Sequence, residues 1–163
     1  MSDDKDTRPP LIKSLGPDAL NRYVDKVPHA AALGLEVTMI AHREAELRMP
    51  YREDLIGYPE TRVVAGGVIT TLLDNVAGLS VACAIEELVP FATLDLRIDY
   101  MRPAVPDEAI CGYAHCFKVT ENIAFVRGLA HHGDRTDPIA TATATFMLNT
   151  KTQHSGGAGA KAG

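Results

Sequence analysis

The segment from residue 65 to residue 85, AGGVITTLLDNVAGLSVACAI, constrains the fold most, because it is nearly unbroken in apolar character. It contains a single acid, Asp74, with Asn75 beside it, and two glycines, Gly66 and Gly67, lie near its start. A helix that is apolar on every side must be buried. An ionisable group in such a helix costs free energy unless it has a partner or a chemical task. The segment is therefore predicted to form the core and to carry the chemistry.

Length and composition are those of one soluble globular domain. The chain has 163 residues, 46% apolar and 23% charged, which is enough for a hydrophobic core. Its net charge of -5 comes without a basic run, and this argues against nucleic acid as a partner, since that binding rests on Lys and Arg. A membrane span is disfavoured, because a central Asp would cost roughly 2.5–3.5 kcal/mol.

The two ends of the chain predict flexible segments. Residues 1–14 are acidic and then proline-rich, without the charged and apolar regions of a signal peptide, and residues 150–163 are rich in Gly and Ala. The three cysteines, Cys83, Cys111 and Cys116, have no metal-ligand spacing and fit a reducing compartment. We therefore expect a cytoplasmic protein with no metal and no cofactor.

Hydrophobic periodicity predicts an α+β domain over residues 15–149. A short amphipathic helix should begin at Pro17 and stop at Pro28. Its apolar face comprises Leu20, Tyr23, Val24 and Val27. Strands are predicted at 35–42, 44–50, 93–100, 108–120, 123–132 and 138–148, with the long helix between the second and the third.

Alternation of side chains predicts which faces of two strands are buried. In the predicted strand at 93–100, the buried face should comprise Leu94, Leu96, Ile98 and Tyr100, and the solvated face should comprise Asp95, Arg97 and Asp99. In the last, Ala140, Ala142, Ala144 and Phe146 should share one face.

The long helix also predicts a dimer. One antiparallel sheet cannot enclose a helix that is apolar all round, so a second subunit is the expected cover. Gly67 and Asp74 are two turns apart and share a face, but they lie about 10 Å apart along the axis. If both act on one reacting carbon, Asp74 must come from a second copy of the helix.

The start of the helix and its acid could each have a chemical or a structural role. Free N–H groups at a helix start can polarise a carbonyl oxygen, as in an oxyanion hole, but two glycines could also serve only a tight corner. Asp74 could be a general base or nucleophile, with a pKa raised by burial or lowered by a helix start. It could equally cap another helix or pair with a buried Arg. His131 and His132 are adjacent on a strand and so point to opposite faces, which disfavours a shared metal.

Three stretches carry a family resemblance: AGGVITTLLDNVAG, FATLDLRIDYMRPA and IATATATFML. Over roughly residues 30–148 the chain resembles the hotdog-fold acyl-CoA thioesterases of the phenylacetate-degradation type. The resemblance implies a long central helix wrapped by a curved antiparallel sheet, and dimers with a continuous sheet that often pair into tetramers. It implies acyl-CoA as the substrate.

The resemblance also implies roles for particular residues. Gly67 would offer its backbone N–H to the thioester carbonyl, and Asp74 of the opposing protomer would be the base or nucleophile. Thr93 would help to orient the water. The family usually has His where this chain has Ala65, and often Asn where it has Tyr58.

Further residues are candidates for substrate binding by their neighbourhood. Gly66 and Asn75 flank the two catalytic candidates on the helix. Arg62 precedes the helix and Arg102 follows a strand, so that either could contact a phosphate of coenzyme A or could be a solvated surface residue. The leading hypothesis is a homo-oligomeric acyl-CoA thioesterase. The alternative is a non-catalytic acyl-CoA or acyl-carrier binding protein, and a weaker third is a hydratase or dehydratase.

Overall fold

The computed structural model describes residues 24–150. The predictions for residues 1–14, for the start of the first helix at Pro17 and for the tail beyond residue 150 lie outside the described residues. Of the residues predicted for that helix, the described Val24 and Asp25 are helical.

A single sheet and one long helix dominate the structure, so the predicted α+β class is confirmed. The elements in chain order are α1 (Pro28–Leu33), β1 (Glu36–Ala41), β2 (Glu44–Met49), a 3-10 turn (Glu53–Leu55), α2 (Gly66–Ala82), β3 (Phe91–Tyr100), β4 (Ile110–Val119), β5 (Ile123–His131) and β6 (Ala140–Leu148). The six strands are antiparallel, in the order β1-β2-β4-β5-β6-β3. All six predicted strands are present, with ends shifted by up to two residues.

The core lies between α2 and one face of the sheet. Leu72, Leu73 and Val76 of the helix are fully buried. Gly112 of β4 marks the closest approach, because a Cβ atom there would lie 2.9 Å from Cγ of Leu72. The buried face of β6 is the predicted one, with its alanines and Phe146 against the helix.

One stripe of α2 is not covered by the sheet within the described residues. Gly67 is exposed, and the other residues of the stripe are half-buried. We call this the uncovered stripe; it comprises Gly67, Thr70, Thr71, Asp74, Asn75 and Gly78. The six strands lie on one side of the helix, and no element of residues 24–150 covers the other side.

Pro28 begins a helix, contrary to the prediction that it stops one. It lies in the first turn of α1, where its missing N–H costs nothing and its fixed φ suits a helix. The chain turns between Asp25 and Pro28 and α1 then ends at Gly34, which has a positive φ of 66°.

A β-bulge in β3 changes which residues face the helix. The register with β6 slips between Thr93 and Asp95, so Leu94 is the extra residue. Strict alternation would put Thr93 and Tyr100 on opposite faces, whereas the bulge turns both towards α2. The predicted burial of Leu94 is therefore wrong, and its side chain is 52% exposed.

β3 is also an edge strand, which explains the remaining exposure along it. Tyr100 is 52% exposed although it faces the helix, and Met101 just beyond it is 63% exposed. The predicted solvated face of Asp95, Arg97 and Asp99 is confirmed. In the part of the chain that the structure describes, no helix is long and apolar enough to cross a membrane.

Candidate active site

Asp74 and Thr93 form the polar centre of the candidate site. The Thr93 hydroxyl donates a hydrogen bond to Oδ1 of Asp74 over 2.9 Å. Asp74 lies on the uncovered stripe of α2, and Thr93 reaches it because the bulge at Leu94 turns Thr93 inward. The second carboxylate oxygen of Asp74 has no hydrogen-bond partner among residues 24–150, so it is free to accept a proton or to attack a carbon.

An apolar cavity of about 170 Å³ adjoins this pair. Asp74, Asn75 and Thr93 supply its polar lining. Its apolar lining includes Val24, Val27, Leu79, Ala82, Phe91 and Phe146. A hydrocarbon chain in this cavity would lie beside the Asp74 carboxylate. Asn75 is held by a hydrogen bond of 2.8 Å from its Nδ2 to the Thr71 carbonyl.

The start of α2 is the second part of the candidate site. Ala65 is the N-cap residue and makes no side-chain capping bond, and its methyl group offers no hydrogen bond. The N–H of Gly67 has no acceptor among the described residues. A Cβ atom built on Gly67 meets nothing within 4 Å, and neither Gly66 nor Gly67 has a positive φ. The backbone conformation of the turn therefore does not require glycine at either position. The lack of a side chain on Gly67 leaves open space at the positive end of the helix.

Tyr100 is a site residue that the sequence interpretation missed. Its hydroxyl donates to the Gly66 carbonyl over 2.7 Å and lies 3.0 Å from the Thr70 hydroxyl. A Cβ atom on Gly66 would come within 3.3 Å of the same hydroxyl, so this glycine makes room for Tyr100. The alternating pattern pointed Tyr100 to the helix side, but no sequence signal linked it to Gly66.

Arg62 and Arg102, the two predicted phosphate-binding arginines, are both paired with carboxylates. Both terminal nitrogens of Arg62 bond to Asp107 at 2.8 Å, and one lies 3.3 Å from Glu53. Hydrogen bonding to Asp107 raises the pKa of Arg62 above its ordinary value. Arg102 pairs with Asp137 at 3.0 Å and lines a second cavity of about 310 Å³ beside the start of α2.

The loop before α2 holds Ala65 in place through its backbone. The Ala65 N–H donates to the Leu55 carbonyl over 2.9 Å, and the Gly57 N–H donates to the Val63 carbonyl over 2.8 Å. Tyr58 lies at the tip of this loop, and its side chain is 73% exposed. In the single chain, Tyr58 is therefore not in contact with the Asp74 and Thr93 pair.

The histidines of β5 have separate structural environments. His131 is buried on the outer face of the sheet, with Nε2 3.5 Å from the Glu46 carboxylate. Burial lowers its pKa below the ordinary histidine value. His132 bonds to the Ala109 carbonyl through Nδ1 and accepts from the Val105 N–H at Nε2. Across residues 24–150, no cluster of three or more His, Cys, Asp or Glu could hold a metal ion.

The long helix backed by one antiparallel sheet is the hotdog fold. The profile of the Thioesterase superfamily matches residues 62–139. A protein of Pseudomonas aeruginosa with a solved structure is 41% identical, with a TM-score of 0.72 over 80% of this chain and 97% of that chain. The chain belongs to the thioesterase superfamily.

Named relatives agree with this assignment. The medium/long-chain acyl-CoA thioesterase YigI of Escherichia coli is 27% identical over 77% of this chain and 88% of its own length. A Halobacterium salinarum protein named as an esterase is 37% identical, but the match spans 54% of this chain and 60% of that protein. A phenylacetic acid degradation-related protein of Ralstonia eutropha has a similar structure, with a TM-score of 0.65 at 25% identity over 75% of this chain and 90% of that chain. The family resemblance drawn from the sequence is confirmed.

Proposed function

We propose that the protein hydrolyses acyl-CoA thioesters to a free acid and coenzyme A. The hydrogen bond between Thr93 and Asp74 carries the proposal, because it holds a carboxylate beside an apolar cavity on a stripe that residues 24–150 leave open. YigI, named as an acyl-CoA thioesterase, supports the same substrate class.

The reaction needs a hydrogen-bond donor to the thioester carbonyl and a carboxylate. The Gly67 N–H would hold the thioester oxygen and stabilise the negative charge that develops on it. Asp74 would take a proton from water as the water oxygen attacks the carbonyl carbon, and Thr93 would orient Asp74 and the water. The carbon–sulfur bond then breaks and the thiolate leaves, taking up a proton. In the covalent route, Asp74 itself attacks to give an anhydride, which water hydrolyses.

The site would be shared between two chains. Gly67 and Asp74 are separated by two turns of one helix, about 10 Å along the axis, which is too far for one carbonyl group to touch both. Two uncovered stripes facing each other in antiparallel fashion would bring Gly67 of each chain to Asp74 of the other. We propose a homodimer formed in this way, pairing further into a homotetramer.

An acyl-CoA substrate also gives roles to the remaining candidate residues. The acyl chain would enter the cavity beside Asp74, with Asn75 at its polar end, while Ala65, Gly66 and Tyr58 would lie along the path to the helix start. A phosphate that bound Arg62 or Arg102 would have to displace Asp107 or Asp137. We propose a cytoplasmic location. A reducing compartment would keep all three cysteines of the chain free, as they are in the structure.

The assay is thiol release from a panel of short, medium, long and aromatic acyl-CoA thioesters. We expect hydrolysis by the wild type and a fall of at least about a hundredfold in kcat for Asp74→Asn, because general-base catalysis contributes at least that factor. Asp95→Asn, an exposed acid on β3, is the matched control and should keep the wild-type rate. Wild-type hydrolysis by Asp74→Asn would contradict the role of this carboxylate.

The second candidate is a non-catalytic protein that binds acyl-CoA or an acyl carrier. The observation that favours it is the start of α2, where Ala65 offers no hydrogen bond and Tyr58 projects into solvent. This candidate predicts stoichiometric binding of an acyl-CoA with no thiol release across the panel. Multiple turnover with any member of the panel would exclude it.

A further inference from the structure

We propose that Tyr100 is a positioning residue that aligns and polarises the Gly67 N–H through the carbonyl of Gly66. This inference rests on the proposed function, because it assigns a role to Tyr100 in the binding of a carbonyl oxygen. Tyr100 does not touch the substrate in this account, and its effect passes through one peptide group.

A single peptide group links the Tyr100 hydroxyl to the Gly67 N–H. The carbonyl of Gly66 and the N–H of Gly67 belong to the same planar unit, in which oxygen and hydrogen point in opposite directions. The Tyr100 hydroxyl, 2.7 Å from the oxygen, therefore fixes the direction of the hydrogen on the other side. That hydrogen has no acceptor among the described residues and faces open space.

Donors on the carbonyl also make the N–H a stronger donor. Hydrogen bonds in a chain polarise one another, by about 10–30% per bond. The Gly66 oxygen receives the Tyr100 hydroxyl, and the Thr70 hydroxyl lies 3.2 Å from it. Tyr100 gives this support from β3, and Thr70 gives it from the next turn of α2.

The bulge in β3 lets one strand hold both parts of the site. Thr93 and Tyr100 are seven residues apart, an odd number that would place them on opposite faces of a regular strand. The extra residue at Leu94 turns both towards α2. As a result Thr93 bonds to Asp74 and Tyr100 bonds to Gly66, eight residues apart on α2.

The test compares binding of two non-hydrolysable analogues of dodecanoyl-CoA. The ketone analogue keeps the carbonyl and replaces sulfur by CH2, whereas the thioether analogue lacks the carbonyl. We expect the wild type to bind the ketone more tightly. In Tyr100→Phe this preference should fall about threefold to tenfold, the range expected for one neutral hydrogen bond, with thioether affinity unchanged. Tyr113→Phe removes a tyrosine hydroxyl on the outer face of the sheet and should keep the wild-type preference.

A structural role for Tyr100 would give a different result. Equal losses of affinity for both analogues, or an unchanged preference in Tyr100→Phe, would overturn the inference. Thr70→Val is a second variant that leaves the edge strand intact, and it should lower the preference in the same direction. An unchanged preference in both variants would likewise exclude the role.

These outcomes are separate from those that test hydrolysis. A wild type that binds the ketone preferentially but releases no thiol would contradict the proposed function, while a reduced preference in Tyr100→Phe would still support the role of Tyr100. A wild type that binds both analogues equally would overturn the inference, whatever the hydrolysis assay gives.

Discussion

At the scale of single residues, the Asp74 carboxylate is the centre of the candidate site, and the Thr93 hydroxyl is its hydrogen-bond partner. A lone acid in a long apolar run is a strong signal, since an unpaired buried charge is costly. Strand alternation could not predict the contact with Thr93, because Thr93 faces Asp74 only through a change of strand register. Arg62 shows the same limit, since its carboxylate partner, Asp107, lies 45 residues further along the chain.

The hydroxyl of Thr93 can be tested apart from its methyl group. Thr93→Val preserves shape and removes the hydrogen bond to Asp74, and we expect kcat for thiol release to fall about tenfold, as for the loss of one charged hydrogen bond. KM should change little, because the apolar lining of the cavity is retained. Thr141→Val, on the opposite face of β6, is the control. A larger effect on KM than on kcat would argue against an orienting role.

At the scale of elements, alternation predicted the six strands because burial on one face leaves a clear pattern, and the unbroken apolar run predicted the long helix. Backbone irregularities left no such pattern. The bulge at Leu94 adds one residue without changing the composition of the strand, and Pro28 reads equally well as the end of one helix or the beginning of another. Both features lie beside the candidate site, since Val24, Val27 and Thr93 line its cavity.

The contact between α2 and β4 gives a prediction at this scale. Gly112→Ala should lower the free energy of unfolding by about 1–3 kcal/mol, because its Cβ would clash with Leu72 in a packed core. Gly78→Ala is the matched control on α2, where a Cβ would lie at an ordinary 3.6 Å from Phe91. It should be neutral or stabilising by up to about 1 kcal/mol, from helix propensity. Urea unfolding measures both, and equal stability of the two variants would contradict this packing.

At the scale of the whole molecule, acid stability depends on His131. Its pKa is lowered by burial in the folded state, so the unfolded chain binds the proton more readily. Stability should therefore fall as the pH is lowered through about 6.5, the ordinary histidine value, and level off below the folded-state pKa. His131→Asn should weaken this dependence and His29→Asn, at an exposed histidine, should not. Thermal melting across this pH range gives the comparison, and identical slopes for the two variants would contradict the assignment.

Within residues 24–150, no element covers the uncovered stripe of α2 or the free edge of β3. The sequence predicted the need for a second subunit from the apolar helix alone. It could not predict that Gly67, Asp74 and the edge strand would all be open on the described chain, because that depends on which side of the helix the sheet occupies.

Mixing two inactive variants tests the shared site most directly. Asp74→Asn removes the carboxylate, and Gly67→Pro removes the N–H at a position in the first turn, where proline is tolerated. Each should be inactive alone. After unfolding and refolding together, we predict about a quarter of wild-type thiol release, because half of the dimers are mixed and each mixed dimer has one intact site of two. No recovery of activity, with mixed dimers shown to form by mass spectrometry, would contradict a site built from two chains.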